Sequence, residues 1–167
     1  MQNSIPDRYR KPILVLGCGN ILFGDDGFGP QVVEYLKNNY SIPEDVEVIN
    51  AGCSVRNILF DVVLSHEKPD KIIIIDGLDI RKKPGEVFEI EIEDIPEKKI
   101  DDFSMHQLPT SNLLRELKDH CSVYVKIFSC QVENIPKSVS MGLSKKLLDS
   151  IPKVCDMIIE EIKKDQV

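Results

Sequence analysis

Two adjacent carboxylates, Asp25 and Asp26, lie in a glycine-rich stretch that runs from Gly17 to Gly29. The stretch follows the apolar run Ile13-Leu14-Val15-Leu16 and precedes a segment of helical periodicity. It therefore reads as a strand-to-helix loop with both carboxylates at the helix's positive end. A third carboxylate, Asp76, ends a run of four isoleucines, Ile72 to Ile75, and should emerge at the end of a buried strand, where an unemployed charge is costly. His106 opens a later helical segment and would add an imidazole. Carboxylates plus imidazole suit a borderline divalent cation, and the same groups are the parts of general acid–base chemistry. Each has a plainer role as well. Asp25 alone fits a helix N-cap, Asp76 could accept hydrogen bonds from loop amides, and a lone histidine is commonly a surface residue. Asp26 is harder to dismiss, because one cap needs one side chain.

Other residues compete for attention. Gly17-Cys18-Gly19 after a strand invites a dinucleotide-binding reading, in which glycines let backbone amides approach a pyrophosphate. Against it, the third glycine position is Leu22, and Asn50 stands where a ribose-binding acid is expected. Cys18 and Cys53 both fall in strand-end loops, so a thiol nucleophile paired with a histidine is a second enzymatic possibility. His66 and His120 lie in charged, polar stretches and read as solvated. The five cysteines are odd in number, widely spread and free of any C-x-x-C pair, which fits reduced thiols.

These residues need a scaffold, and the pattern supplies one. Apolar or alternating runs at 13–16, 46–49, 71–76, 87–92 and 123–128 read as strands. Helical stripes follow: Val32, Val33, Tyr35 and Leu36; Ile58, Leu59, Val62, Val63 and Leu64; Leu108, Leu113, Leu114 and Leu117; and Leu143 through Ile162. Pro152 lies inside the last and either kinks it or marks a second helix. Strands alternating with helices predict an α/β fold, a three-layer α/β/α sandwich around a mostly parallel twisted sheet. The Ile72–Ile75 strand is expected at its centre, and the half-acidic run Val87 to Ile92 at an edge or in a hairpin. Ligands gather at carboxyl ends of such strands, which directs attention to the loops starting at Gly17, Asn50, Asp76 and Cys130.

With 167 residues the chain fits a single domain spanning 1–167. A net charge of -7 disfavours nucleic acid as a partner. The small basic cluster Arg8, Arg10 and Lys11 reads as solvated residues ahead of the first strand. The first dozen residues contain no apolar leader and no run is long enough to span a bilayer, so a cytoplasmic protein, monomeric by default, is expected.

Taken together, Gly17-x-Gly19-Asn20-Ile21-Leu22-x-x-Asp25-Asp26-Gly27-x-Gly29, then Asp76, then His106-Gln107-Leu108 resembles the hydrogenase maturation endopeptidases over nearly the whole chain. The resemblance implies a phosphorylase/hydrolase-like α/β fold. It also implies removal of a short C-terminal extension from the large-subunit precursor of a nickel–iron hydrogenase after nickel insertion. Asp26, Asp76 and His106 match the family's three metal-contacting positions, and the nickel arrives with the precursor. The general look is nearer to archaeal members acting on deazaflavin-reducing hydrogenases. Two departures stand out: Asp26 occupies a position where many relatives carry glutamate, and Gly52-Cys53 replaces a common Gly-Thr. The competing expectations are a cysteine peptidase built on Cys53 or Cys18 and a non-enzymatic nickel- or nucleotide-binding module that only holds the precursor.

Overall fold

A computed structural model describes residues 6–95 and 110–165. Five strands form one sheet: β1 (Ile13–Cys18), β2 (Val46–Gly52), β3 (Lys71–Leu78), β4 (Val87–Glu89) and β5 (Tyr124–Gln131). Their order is β2-β1-β3-β5-β4, with β4 antiparallel to β5 and the other pairs parallel. The isoleucine-rich β3 is central, and the half-acidic strand is at an edge, as its alternation requires.

Among the described residues four α-helices cover the sheet: α1 (Phe28–Asn39), α2 (Val55–Leu64), α3 (Thr110–His120) and α4 (Lys145–Lys163). Alternate residues of the buried strands serve opposite faces. Ile73 and Ile75 join Val32, Val33 and Leu36 of α1 and Leu147, Ile151 and Ile158 of α4. Ile72 and Ile74 join Ile58, Leu59 and Val62 of α2 and Leu114 and Leu117 of α3. The result is the expected three-layer sandwich, in which burial on both sides of β3 explains its β-branched composition. Among the described residues no helix is long and apolar enough to cross a membrane.

One local expectation changes and one open alternative is decided. The edge strand pairs only over Val87–Glu89, and Ile92–Asp94 turns into a short 3-10 helix that buries Ile92. Of the two readings of Pro152, the second helix falls away, because α4 runs from Lys145 to Lys163 with the proline inside it. Its missing N–H leaves the Leu148 carbonyl without its helical donor. Both residues face solvent, so water can serve that carbonyl.

At the amino end of β3, Lys71 is 5% exposed yet charged. Its Nζ lies 2.7 Å from Glu161 Oε1 and 2.6 Å from Asp165 Oδ2, and it sits over the Tyr124 ring. The second Glu161 oxygen accepts from Lys164 Nζ at 2.9 Å. This network pins the end of α4 to the sheet. Burial alone would raise the Glu161 pKa, but hydrogen bonds from Lys71 and Lys164 outweigh it and hold the carboxyl below its ordinary 4.5. Burial alone would lower Lys71, and its bonds to Asp165 and Glu161 raise it above its ordinary 10.5 instead. A depressed carboxyl stabilises fully above 4.5 and loses that contribution as pH falls through its folded value. A raised ammonium stabilises fully below 10.5 and loses its contribution as pH rises through its folded value. Glu161→Ala should therefore cost about 3 kcal/mol in urea unfolding at neutral pH. Lys145→Ala, which breaks the exposed pair with Asp149, should leave the midpoint unmoved.

Candidate functional site

From β1 the chain winds through α1 to β2 and returns through α2 to β3 on the other side of β1. Winding thus reverses between β1 and β3, and the crevice at their carboxyl ends is where such a sheet offers a site. Asp26 follows β1 and Asp76 lies near the end of β3, so the crevice receives both.

Glycine makes their approach possible. Gly19 has φ +129°, and a Cβ there would fall 1.9 Å from the Asp26 carbonyl oxygen and 3.6 Å from Asp76 Oδ1. The two acidic residues thus meet around a position that carries no side chain. Asp26 is half-buried, and its Oδ2 accepts a hydrogen bond from the Asn20 backbone N–H at 3.0 Å. Asp76 is also half-buried, with Oδ1 closed to solvent. On the far side, Gly19 N–H donates to the Gly52 carbonyl at 3.2 Å, which brings the turn after β2 against the same loop.

The other glycines of the motif serve packing. A Cβ on Gly17 would lie 2.4 Å from the Gly29 oxygen, and one on Gly29 would lie 2.3 Å from the Cys18 oxygen and 2.4 Å from that of Ile75. The start of α1 therefore rests directly on the backbones of β1 and β3. Space that a dinucleotide motif would give to phosphate is filled by protein backbone.

Asp25 is 1% exposed, and its role differs from the expected helix cap. Gly24–Gly27 forms a 3-10 turn ahead of α1, whose N-cap receives no side-chain bond. The Asp25 carboxylate reaches instead to the loop after β5. It accepts from the backbone N–H groups of Glu133 at 2.8 Å, Asn134 at 2.9 Å and Ser144 at 2.7 Å, and from Ser144 Oγ at 3.0 Å. Two neighbouring aspartates thus divide their work: Asp25 holds the loops together and Asp26 faces the crevice.

Of the expected site residues, Asp26 through its main chain and Asp76 through its carboxylate both lie beside Gly19, whereas His106 lies outside the described residues. Among the described residues no group of three histidine, cysteine, aspartate or glutamate side chains is arranged to hold a metal ion. Cys53 is exposed near Asp26, and its thiol is pushed up by desolvation and by the Asp26 charge. The reactive form of a cysteine is the thiolate, so this setting works against a nucleophile. Cys18 is buried, with Sγ 3.7 Å from the Leu16 carbonyl, and cannot meet a peptide. His66 and His120 are exposed, as expected. One polar residue escaped sequence reasoning. Ser129 is the register partner of Asp76 on β5, is fully buried, and its Oγ has no hydrogen-bond partner among the described residues. Its only signal was a serine directly after the expected strand at 123–128.

The sequence model of the hydrogenase maturation proteases matches residues 30–161. The chain belongs to that family. A protein assigned as a hydrogenase maturation protease in Methanocaldococcus jannaschii is 36% identical over 156 residues, covering 93% of this chain and 99% of the relative. The coenzyme F420 hydrogenase subunit delta of Methanothermobacter thermautotrophicus is 36% identical over 159 residues, covering 92% and 96%. The structure of the hydrogenase maturating endopeptidase HybD from Escherichia coli superposes with a TM-score of 0.69 at 27% identity, covering 92% of this chain and 93% of that one. The protein is a peptidase of the hydrogenase maturation family, and the β1–β3 crevice is its candidate active site.

In this protease Asp25 is the structural member of the acidic pair. Asp25→Ala removes an acceptor from four donors at once, and losses at charged hydrogen bonds of this kind reach about 3 kcal/mol. Chemical denaturation should show a fall of that size, with faster amide exchange through 133–144. An unchanged unfolding midpoint would contradict the assignment.

Proposed function

We propose that the chain is an endopeptidase that removes a short C-terminal extension from the nickel-loaded large-subunit precursor of a nickel–iron hydrogenase. The observation that carries this reading is the approach of the Asp26 main chain and the Asp76 carboxylate to Gly19 at the switch point of the sheet. Two carboxylates with the imidazole of His106 would give a borderline metal three ligands and leave positions open for the precursor's own groups. The nickel belongs to the substrate and serves as its signal of readiness. A free enzyme that held nickel tightly could not tell a filled precursor from an empty one, so its own affinity should be weak.

One general base contributes about 10²–10⁴-fold, roughly 3–5 kcal/mol, while enzymes supply ~8–23 kcal/mol. Positioning has to provide much of the remainder. In the proposed complex the precursor's nickel seats on Asp26, Asp76 and His106 and fixes the scissile bond in register. Either a carboxylate or a water polarised by the nickel then adds to the carbonyl, the C–N bond breaks as the departing amine takes up a proton, and an anhydride formed by the first route is opened by water. Aspartate at position 26 has a reach one methylene shorter than glutamate, which draws the nickel toward the Gly17–Gly29 loop. The thiol alternative is poorly served by the raised Cys53 and the buried Cys18. A 36% identical relative carries a coenzyme F420 hydrogenase name, which makes that hydrogenase type the first substrate to test.

The deciding measurement is incubation of purified enzyme with nickel-loaded precursor, followed by mass spectrometry of the precursor's C-terminus. Wild type should produce a discrete mass loss, and nickel-free precursor should stay intact. Asp26→Asn, Asp76→Asn and His106→Ala should each reduce processing at least ~100-fold with unchanged thermal midpoints. Cys53→Ala should retain activity. A holding module would bind the precursor and leave its mass unaltered, and full processing by Asp76→Asn would remove the carboxylate mechanism.

A further inference from the structure

Five of the ten large apolar side chains that lie exposed among the described residues fall on two short facing segments beside the crevice. They are Ile21 and Leu22 on the loop after β1, exposed at 42% and 40%, and Ile135, Val139 and Met141 on the loop after β5, at 42%, 64% and 65%. The other five are scattered over α1, α2, β5 and α4. Single exposed apolar residues are ordinary, whereas a contiguous group marks a contact surface.

The group is contiguous because the loops are stitched together. Ser140 N–H donates to the Leu22 carbonyl at 2.8 Å, Gly24 N–H donates to the Ser140 carbonyl at 2.8 Å, and Phe23 pairs with Ser140 as an isolated parallel bridge. Gly24 is needed at this seam, since a Cβ would lie 2.7 Å from Pro136 Cδ. Asp25 anchors both loops from beneath. An apolar surface on a backbone fixed in this way loses little entropy when a partner arrives.

We propose that these five residues form the docking face for the precursor, receiving an apolar segment of it that lies beside its nickel-bearing end. The proposal rests on the protease reading, because the occupant follows from continuity with the crevice. Asn20, whose N–H holds Asp26, precedes Ile21 directly, and Ile21 Cα lies 2.9 Å from where a Gly27 Cβ would be. A folded protein that offers its nickel to Asp26 and Asp76 must therefore cover the adjoining loops. A chain of net charge -7 is poorly matched to an anionic lipid surface, which leaves a protein as the fitting partner. Seating the precursor there also excludes water from the rim of the crevice, which strengthens the pull of the two carboxylates on a cation.

The test uses the full-length enzyme carrying Val139→Asp with Met141→Asp, two positions outside the glycine motif. The control carries Phe60→Asp with Leu64→Asp on the outer face of α2, where exposure is 52% and 58%. KM for nickel-loaded precursor should rise about tenfold or more in the first, with kcat within about twofold and the thermal midpoint unchanged. The control should match wild type. Precursor affinity measured separately by biolayer interferometry should weaken by a similar factor, so docking is judged even where wild type cuts nothing, which would be a failure of the protease reading alone. If the aspartates impair folding, Val139→Ser with Met141→Ser supplies the same readout. Unchanged KM and affinity, or an equal rise in the control, would overturn the proposal. So would a shift from dimer to monomer on size exclusion with KM unchanged, which would make the face a contact between copies.

Discussion

A carboxylate can be buried at a sheet edge only where several donors converge on it, and the convergence on Asp25 organises the functional end of this molecule. Three backbone N–H groups and one hydroxyl, from residues 133–144, meet its two oxygens. Each donor would otherwise need water or another acceptor, so one side chain replaces the secondary structure that this long connection lacks. The loop after β5 is thereby laid against the loop after β1. With Asp25 committed beneath, the chain's next residue turns the other way, and Asp26, which accepts from the Asn20 N–H, reaches the crevice.

The glycines express the complementary constraint. Gly17 and Gly29 let the first turn of α1 rest on β1 and β3, with would-be Cβ positions between 2.3 and 2.4 Å from backbone oxygens. Gly77, where a Cβ would meet the Asp25 carbonyl oxygen at 2.8 Å, lets the same loop cross the end of β3. A glycine-rich turn after a first strand has two physical uses: leaving room for a ligand's phosphates or leaving room for the protein's own backbone. The distances decide for the second. Side chains at these positions would push the loop off the sheet and separate Asp26 from Asp76.

What could be read in advance followed from period and local chemistry. The unbroken β-branched run of β3 and the apolar stripes of α1, α2 and α4 fixed the layers, because burial on both faces of a strand is written in consecutive apolar residues and burial of a helix in every third and fourth. Asp76 announced itself as a charge at the end of an isoleucine run. Partners distant in the chain were not legible. Nothing near Asp25 indicates that its acceptors serve residue 144, and nothing near Val139 indicates that it will stand beside Leu22. Pro152 was undecidable for a related reason: a proline's cost depends on whether the carbonyl it orphans can reach water, and that is a property of the folded surface. His106, the third member of the expected cluster, lies outside the described residues.

In the proposed reading the two ends of the β1–β3 crevice do different work. Apolar contact along the stitched loops is the same for a precursor with nickel and one without, so it can raise affinity but cannot discriminate. Discrimination has to come from groups whose interaction changes with the ion, and those are Asp26, Asp76 and His106. This separation is physically useful. Strong charge binding would hold free nickel and erase the signal, whereas apolar docking can make the encounter productive while the charged cluster remains weak on its own. It also explains why the half-buried state of both aspartates suits the task. Full burial would oppose their ionisation and full exposure would screen their attraction, while a crevice whose rim the docked precursor covers supplies low dielectric at the moment the ion is presented.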